Sequence, residues 1–478
     1  MSTFYRPFAL AAAGVLFLSA KPAVAQRQQI EAVRLNAAGD FSPLPSGYSF
    51  LHHFVYPTQG PTARFRHIVL DSTLHQRHQQ DVTLGGRNVQ LLDHAVNNTA
   101  AYYRFRRRQN DSLVTMVIDT AGQVLSVRRV AQRTVQPRLQ LNLQLQSDSL
   151  FLVYEPSKKA RHFRLHCLDL AQQERWQLTF TARKGHTTLD GFSADKSHAW
   201  FVVNDNVRSR RIESTAYCVD LKTGKILSSS LLDANGERRV AGTGLIGPDH
   251  SLLVVGRSYA HRRISRVQSG NLFATRLAPD GTRMLDHLNK LSADPGLLAA
   301  RSAKTYWQTM VADPSGNVRL VGQTFTSTSL GGNIAIGVAS GLLTLGAFRV
   351  STTTLRPREV VIMQLNSKGE LTQTRVAPLP ERGSYTVGGY LPAQPMAELA
   401  ARAGVFPVRA ITPDGRAAIM RTKKHLMLLD LETQQQRVLR DSETLGSDDV
   451  WNVRPGSLML YRVNSRSTHS LDVERVTY

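Results

Sequence analysis

Short runs of alternating apolar and polar residues, separated by polar turns, recur from about residue 47 to residue 440. In one recurring unit a polar turn precedes an apolar or β-branched run, as at Ala194-Asp195-Lys196. In the other, an apolar run ends at Asp or Asn and is followed by a short turn and a second run, as around Asp119 and Asp220. Alternation with a period of two residues is typical of β-strands rather than helices. The pattern therefore predicts an all-β chain built from hairpins.

The second unit occurs seven times, and its spacing predicts the architecture. Its marker positions are Asp71, Asp119, Asp169, Asp220, Ala278, Asn366 and Asp430. The first gaps are 48, 50 and 51 residues, and the later gaps are 58, 88 and 64. A period near 50 residues with four short strands per unit is typical of a radial β-propeller. We predict seven blades, with six or eight as alternatives, because the first unit and the tail at 455–476 are weak repeats. The tail could close the ring against the N-terminal strands.

Two of these turns carry a resemblance to a known kind of repeat. Pro413-Asp414-Gly415 and Asp220-Leu221-Lys222-Thr223-Gly224 resemble the PDG-like and LDxxTG-like turns of TolB-type and WD-type propeller repeats of bacterial exported proteins. The resemblance extends over most of the chain after residue 25 and concerns the fold, because the motifs match no catalytic signature. Propellers host binding, scaffolding and catalysis alike, so the resemblance implies no particular function.

Three insertions interrupt the repeat pattern. The segments 294–298 and 395–403 predict two short helices, each with the expected terminal residues. The third insertion lies at about 325–357, and its residues 331–348 carry no charge. Both of its flanks have strand patterns of one blade, which argues against a single membrane crossing. We expect an apolar lid or helix packed on the propeller, with an element that binds a protein partner or a membrane surface as the alternative.

The N-terminal 25 residues have the pattern of a secretory signal peptide. Arg6 precedes an apolar stretch at 8–20, and Ala23-Val24-Ala25 provides a small-x-small cleavage pattern. A stretch of about 13 residues is too short to span a bilayer core of roughly 30 Å as a helix. No cysteine lies near the cleavage point, so we do not expect a lipoprotein. We expect cleavage after Ala25, a periplasmic or secreted protein without a transmembrane segment, and a single propeller domain over 26–478.

Positive charge is the most informative feature of the composition. The chain carries 59 Lys and Arg against 36 Asp and Glu, a net charge of +23, which attracts polyanions. The cations concentrate in the predicted loops between the second and third strands of the blades, whereas the recurrent acids lie in the turns at the opposite end. The planar guanidinium of Arg suits phosphate and carboxylate groups. The predicted anion-binding residues are Arg104, Arg106, Arg107, Arg108, Lys158, Lys159, Arg161, Arg208, Arg210, Arg211, Arg262, Arg263 and Arg266.

The sequence favours an exported, non-enzymatic propeller that binds or scaffolds, presenting this Arg-rich face to an anionic partner. Candidate partners are envelope phosphate, an acidic polysaccharide or an acidic protein, and nucleic acid is not expected in this compartment. One alternative is that the cations are only solvated hairpin tips. Another is an enzyme acting on carbohydrate or a small molecule at the central channel. A third is a structural envelope protein that docks through the 325–357 insertion.

No catalytic residue, metal site or cofactor is nominated from the sequence. HExxH, paired CxxC and Gly-x-Ser-x-Gly motifs do not occur. Cys167 and Cys218 occupy the same position in consecutive repeats, so their side chains are expected to point in parallel directions rather than towards each other. We expect two separate buried thiols. The four tryptophans, Trp176, Trp200, Trp307 and Trp451, are expected to pack in the core rather than to stack on sugars.

Overall fold

The computed structural model describes most of the chain beyond its N-terminus. The described residues are 27–30, 38–44, 48–55, 64–85, 89–107, 112–131, 145, 147–157, 161–182, 185–208, 211–259, 271–291, 304–313, 315–333, 349–379, 384–388, 397, 400, 405–412, 414–422, 425–441, 448–454, 456–464 and 470–478. The signal-peptide prediction, the charge-free tip of the large insertion at 334–348 and most of the two predicted helices lie outside them.

The described strands form eight antiparallel sheets, numbered I to VIII. The first strand, β1 (Arg27–Ile30), belongs to the last sheet. Sheet I contains β2 (Ala38–Pro43), β3 (Ser49–Val55), β4 (Arg64–Leu70) and β5 (Gln76–Thr83). Sheet II contains β6 (Val89–Val96), β7 (Ala100–Arg107), β8 (Ser112–Asp119) and β9 (Val124–Ala131). Sheet III contains β10 (Leu150–Pro156), β11 (His162–Asp169) and β12 (Glu174–Thr181). Sheet IV contains β13 (His186–Ala194), β14 (His198–Arg208), β15 (Arg211–Asp220) and β16 (Ile226–Leu231).

The second half of the chain continues in the same way. Sheet V contains β17 (Arg238–Ile246), β18 (Leu252–Tyr259), β19 (Asn271–Leu277) and β20 (Arg283–Asn289). Sheet VI contains β21 (Lys304–Ala312), β22 (Val318–Asn333), β23 (Arg349–Leu365) and β24 (Leu371–Ala377), with β25 (Tyr385–Gly388) paired to β23. Sheet VII contains β26 (Val408–Ile411), β27 (Ala417–Arg421), β28 (His425–Asp430) and β29 (Gln436–Asp441). Sheet VIII contains β30 (Asp448–Arg454), β31 (Ser457–Asn464), β32 (Ser470–Thr477) and, at its edge, β1.

In each sheet, strands that are consecutive in the chain lie side by side, and successive sheets stack on one another. The exceptions are β1, which joins the last sheet from the other end of the chain, and β25, which pairs with β23. First strands of neighbouring sheets touch, as β13 touches β17 and β17 touches β21. Last strands such as β5 and β16 are mostly exposed. Apolar side chains of the described residues form a buried cluster between every two successive sheets from I–II to VII–VIII. First strands inside, last strands outside and cores between the sheets define a β-propeller, so the predicted fold class is confirmed.

The last sheet explains why the repeat count was difficult to predict. Residues 455–476 do not simply add a strand to an earlier unit, because β30, β31 and β32 form a sheet of their own. The N-terminal strand β1 completes it by pairing antiparallel with β32, from Arg27 opposite Glu474 to Ile30 opposite Leu471. The described residues thus form eight sheets, and the preferred count of seven blades is not confirmed.

Every meander has two different ends, which we name the turn face and the loop face. The turn face carries the connections from first to second and from third to fourth strand, and the loop face carries those from second to third strand. Acidic side chains close the turns, as predicted: Asp220 Oδ1 accepts hydrogen bonds from the backbone N of Thr223 and from its Oγ1, both at 2.7 Å. Gly224 follows with φ of 71°, and a Cβ there would lie 2.4 Å from Trp176 Cγ of sheet III.

The described flanks of the large insertion are strands. Residues 325–333 and 349–357 extend β22 and β23 beyond β21 and β24, paired from Phe325 opposite Pro357 to Asn333 opposite Arg349, and β25 pairs with 352–355 of this extension. This long hairpin projects at the loop face. The lid or helix was expected for 331–348; residues 331–333 belong to β22, and 334–348 lie outside the described residues. Among the residues that are described, no helix has the length and apolar character needed to cross a membrane.

Candidate anion-binding face

The topology brings the predicted cationic segments to one end of the molecule. All thirteen residues lie in, or on the strands flanking, the connections β7–β8, β10–β11, β14–β15 and β18–β19. Each connection lies at the loop face of its sheet. In sheet III, β10 takes the position of a second strand, because the turn that precedes it lies beside the β6–β7 turn of sheet II, where Asn98 N donates to Ser147 O at 2.9 Å. Sheets II to V are consecutive, and β6 touches β10, β11 touches β13, and β13 touches β17. The strand ends that flank these four connections therefore follow one another along an arc of the loop face, and we name the four connections the cationic arc.

The described members of the arc differ in exposure. Arg161 is exposed just before β11, and Arg106 and Arg107 are partly exposed at the end of β7. Arg208 ends β14 and pairs in register with Arg211 at the start of β15. Two further arginines near this end, Arg128 and Arg129 on the outer strand β9, are exposed. Seven predicted residues lie outside the described residues: Arg108, Lys158, Lys159, Arg210, Arg262, Arg263 and Arg266.

Arg104 does not belong to the exposed set, which corrects the sequence interpretation. Its side chain is 9% exposed, and its guanidinium forms a two-pronged ion pair with Asp93 on the neighbouring strand β6, with Nε 2.8 Å from Oδ1. Nη2 also donates to the carbonyl of Tyr154 in sheet III at 3.3 Å. Arg104 joins two sheets inside the protein, and its charge is already compensated.

Two arginines of the first strand β17 are likewise compensated. Arg238 lies 3.2 Å from both Glu213 and Asp233, and the buried guanidinium of Arg239 contacts Asp286. Asp93 on β6 and Arg238 and Arg239 on β17 are each held in an ion pair. This arrangement is that of structural residues rather than of an acid–base pair aimed into the channel.

A cluster that sequence reasoning missed lies at the opposite end. Asp195 and His198 belong to the turn between β13 and β14, and His250 belongs to the equivalent turn between β17 and β18. His250 Nδ1 lies 2.5 Å from Asp195 Oδ2, and the two imidazole centroids are 4.6 Å apart. Burial raises the pKa of Asp195, but hydrogen bonds from His250 and from the backbone N of His198 and Ser197 outweigh it, so the net pKa is lowered. The available signal was a histidine in the same turn of two successive repeats.

The two cysteines and the described tryptophans occupy the core. Cys167 and Cys218 are buried, unbridged thiols in β11 of sheet III and β15 of sheet IV, which confirms the prediction. Burial raises the pKa of each thiol to about 12. Trp176, Trp200 and Trp307 are buried, with relative exposures of 8%, 0% and 7%, and are core residues as expected. The side chain of Trp451 lies outside the described residues.

Comparison with known proteins found solved structures of low sequence identity to this chain. No family model matches the sequence, and no curated protein is significantly similar to it. A europium-containing methanol dehydrogenase is 10% identical, with 91% of this chain and 84% of that chain covered and a TM-score of 0.41. The β-propeller domain of the Trilobed protease from Pyrococcus furiosus is 9% identical, with 81% and 95% covered and a TM-score of 0.39. Apo AztD from Citrobacter koseri is 11% identical, with 87% and 89% covered and a TM-score of 0.38.

Proposed function

We propose that this protein is an exported binding or scaffold propeller whose cationic arc docks on a polyanion that displays phosphate or carboxylate groups. The observation that carries the proposal is the adjacency of sheets II to V, whose loops at one face hold the cationic segments. Scattered cations on separate faces would act singly, whereas neighbouring cations can contact successive anionic groups of one partner.

The distribution of acids at the two faces supports this direction of binding. Carboxylates at the turn face are engaged by backbone N–H groups of their own turns, as Asp430 Oδ1 is by Glu432 N at 2.8 Å and Thr433 N at 2.7 Å. In the loop at 260–270, by contrast, the sequence carries Arg262, Arg263 and Arg266 without any Asp or Glu. The net charge of +23 adds a long-range attraction that steers a polyanion to the protein.

The test uses two variants with the same change of net charge at opposite faces. The loop variant carries Lys158→Ser, Lys159→Ser and Arg161→Ser. The turn variant carries Lys222→Ser, Lys225→Ser and Lys368→Ser, which replaces three exposed lysines of the turn face. Affinity for heparin and for vesicles containing phosphatidylglycerol is measured over a series of salt concentrations, so that a polysaccharide and a lipid headgroup are distinguished.

We expect the loop variant to bind more weakly and with a shallower salt dependence than the wild type. Each anionic contact contributes roughly 0.7 to 0.9 to the slope of log K against log salt concentration, so three lost contacts lower it by about 2 to 3. The turn variant keeps most of the wild-type slope. Equal losses in both variants would show that only net charge matters and would contradict a docking face.

A further inference from the structure

The turn face carries an arrangement of ligand atoms that neither the fold nor the cationic arc requires. Asp195, His198 and His250 each offer one ligand atom within 4.8 Å of the others. Among the described residues, they are the cluster of His, Cys, Asp or Glu side chains that could hold a metal ion. We propose that these three side chains form a site for a divalent transition metal of the zinc class, bridging the turns of sheets IV and V.

The carboxylate of Asp195 is held with one oxygen directed at the site. Its Oδ1 accepts hydrogen bonds from the backbone N of Ser197 and of His198, both at 2.7 Å, and so closes its own turn. The other oxygen, Oδ2, faces His250 Nδ1. Oδ1 is therefore occupied by the backbone, and Oδ2 is the oxygen available to a metal ion.

Ser197 sets which nitrogen of His198 can act as a ligand. Its hydroxyl donates to Asp195 Oδ1 at 3.1 Å, so its proton is committed to the carboxylate. The same hydroxyl oxygen lies 2.9 Å from His198 Nδ1 and can accept a hydrogen bond from the Nδ1–H tautomer. With Nδ1 protonated, the lone pair of a neutral His198 lies on Nε2. Metal-binding histidines are commonly oriented by a hydrogen bond from the nitrogen that does not bind the metal.

His250 is held in place by a residue from the strand that carries His198. Its backbone φ is 62°, a left-handed conformation that few residues other than glycine adopt. The indole Nε1 of Trp200, which is fully buried, donates to the carbonyl of His250 at 2.9 Å. Trp200 is two residues after His198 on β14. The buried core thus fixes the separation of the two turns, while the His250 side chain stays 46% exposed.

Metal binding requires a small local movement. Zn–N and Zn–O bonds of about 2.0 to 2.1 Å in a tetrahedral arrangement place neighbouring ligand atoms about 3.3 Å apart. His250 Nδ1 and Asp195 Oδ2 are hydrogen-bonded at 2.5 Å. On binding, the metal ion would replace the proton of this hydrogen bond, and the imidazole ring would move outward. Two imidazoles and one carboxylate suit zinc and similar ions rather than calcium or magnesium. Three protein ligands leave further positions open to solvent.

A purely structural link between turns does not need histidine. Between sheets II and III, Asn98 Nδ2 donates to Asp148 Oδ1 at 2.8 Å from the equivalent turns. An amide and a carboxylate therefore suffice to join neighbouring turns of this propeller. At sheets IV and V the carboxylate instead meets two imidazoles with their centroids 4.6 Å apart, which adds two nitrogen ligands at one place.

The test titrates the tag-free full chain with Zn²⁺ by calorimetry. His198→Ala and His250→Ala are each expected to weaken binding of one Zn²⁺ per chain by at least about tenfold. Ser197→Ala is expected to weaken it less, because it removes orientation but no ligand. His75→Ala is the matched control: His75 is an exposed histidine of another turn, 2.8 Å from Thr73 Oγ1 and in the same turn as Asp71.

A second readout keeps the result independent of stability. Co²⁺ bound by the wild type should show the visible absorption of a low-coordinate site, and either histidine variant should lose it while its thermal unfolding remains that of the wild type. The proposal would be overturned if both histidine variants bound Zn²⁺ as the wild type does. It would also be overturned if the wild type did not bind Zn²⁺. The Asp195–His250 contact would then be an ion pair only. The loop variant described above should bind Zn²⁺ normally, since the cationic arc lies at the other face.

Discussion

The two faces of this propeller are made by the same strands but use their charged residues differently. At the turn face, carboxylates such as Asp220 and Asp430 accept hydrogen bonds from the backbone of the turns that they close. At the loop face, longer connections carry cations such as the exposed Arg161. A charged residue is therefore paired within the fold or exposed to solvent according to its place in the repeat. Arg104 and Arg161 demonstrate this, because one is buried in an ion pair and the other is in solvent.

The largest expected effect is a difference in the free energy of unfolding between variants of those two arginines. Arg104→Ala leaves Asp93 buried without its ion-pair partner, and breaking such a buried pair costs about 3 to 5 kcal/mol. Arg161→Ala removes an exposed side chain and should change the free energy of unfolding by no more than about 0.5 kcal/mol. Chemical denaturation of both variants measures the difference. Similar small losses in the two would mean that Arg104 is not a structural residue.

A second comparison tests the packing of the turn face against the neighbouring sheet. In Gly224→Ala the new Cβ would meet the Trp176 ring at 2.4 Å in a backbone with positive φ. Strain and overpacking together should cost about 2 to 4 kcal/mol. Gly236 also has positive φ, at 76°, but no atom lies within 4 Å of an added Cβ. Gly236→Ala should therefore cost only about 1 kcal/mol, and equal costs would show that the Trp176 contact yields easily.

A smaller effect concerns acid stability. Burial raises the pKa of Asp71, but hydrogen bonds from Thr73, His75 and Arg77 outweigh it and lower the pKa from 3.8 to about 2. Because the unfolded chain binds more protons between these values, the stabilisation is complete above about pH 4 and is lost as pH falls towards 2. Asp71→Asn lacks this dependence. The difference in melting temperature between wild type and variant should be largest at neutral pH and shrink below pH 4. A difference that stays constant down to pH 2 would contradict the role of the carboxylate.

The fold class could be predicted from the sequence because each Asp that closes a turn also marks the end of a strand. The last sheet was harder to recognise, since its edge strand β1 comes from the other end of the chain. Arg104 was misassigned because its pairing with Asp93 depends on the register of β6 against β7, which loop composition does not contain. The Asp195–His250 contact depends on how two equivalent turns align when sheets IV and V stack. The residue pattern within one repeat does not predict such contacts between repeats.

The division of roles between the two faces is tested most directly by hydrogen–deuterium exchange with and without bound heparin. We predict slower exchange in peptides that cover 157–161, 207–212 and 258–271, which contain loops of the cationic arc, and unchanged exchange at the turns around Asp220, Asn366 and Asp430. Protection at those turns, or protection spread evenly over both faces, would contradict the account.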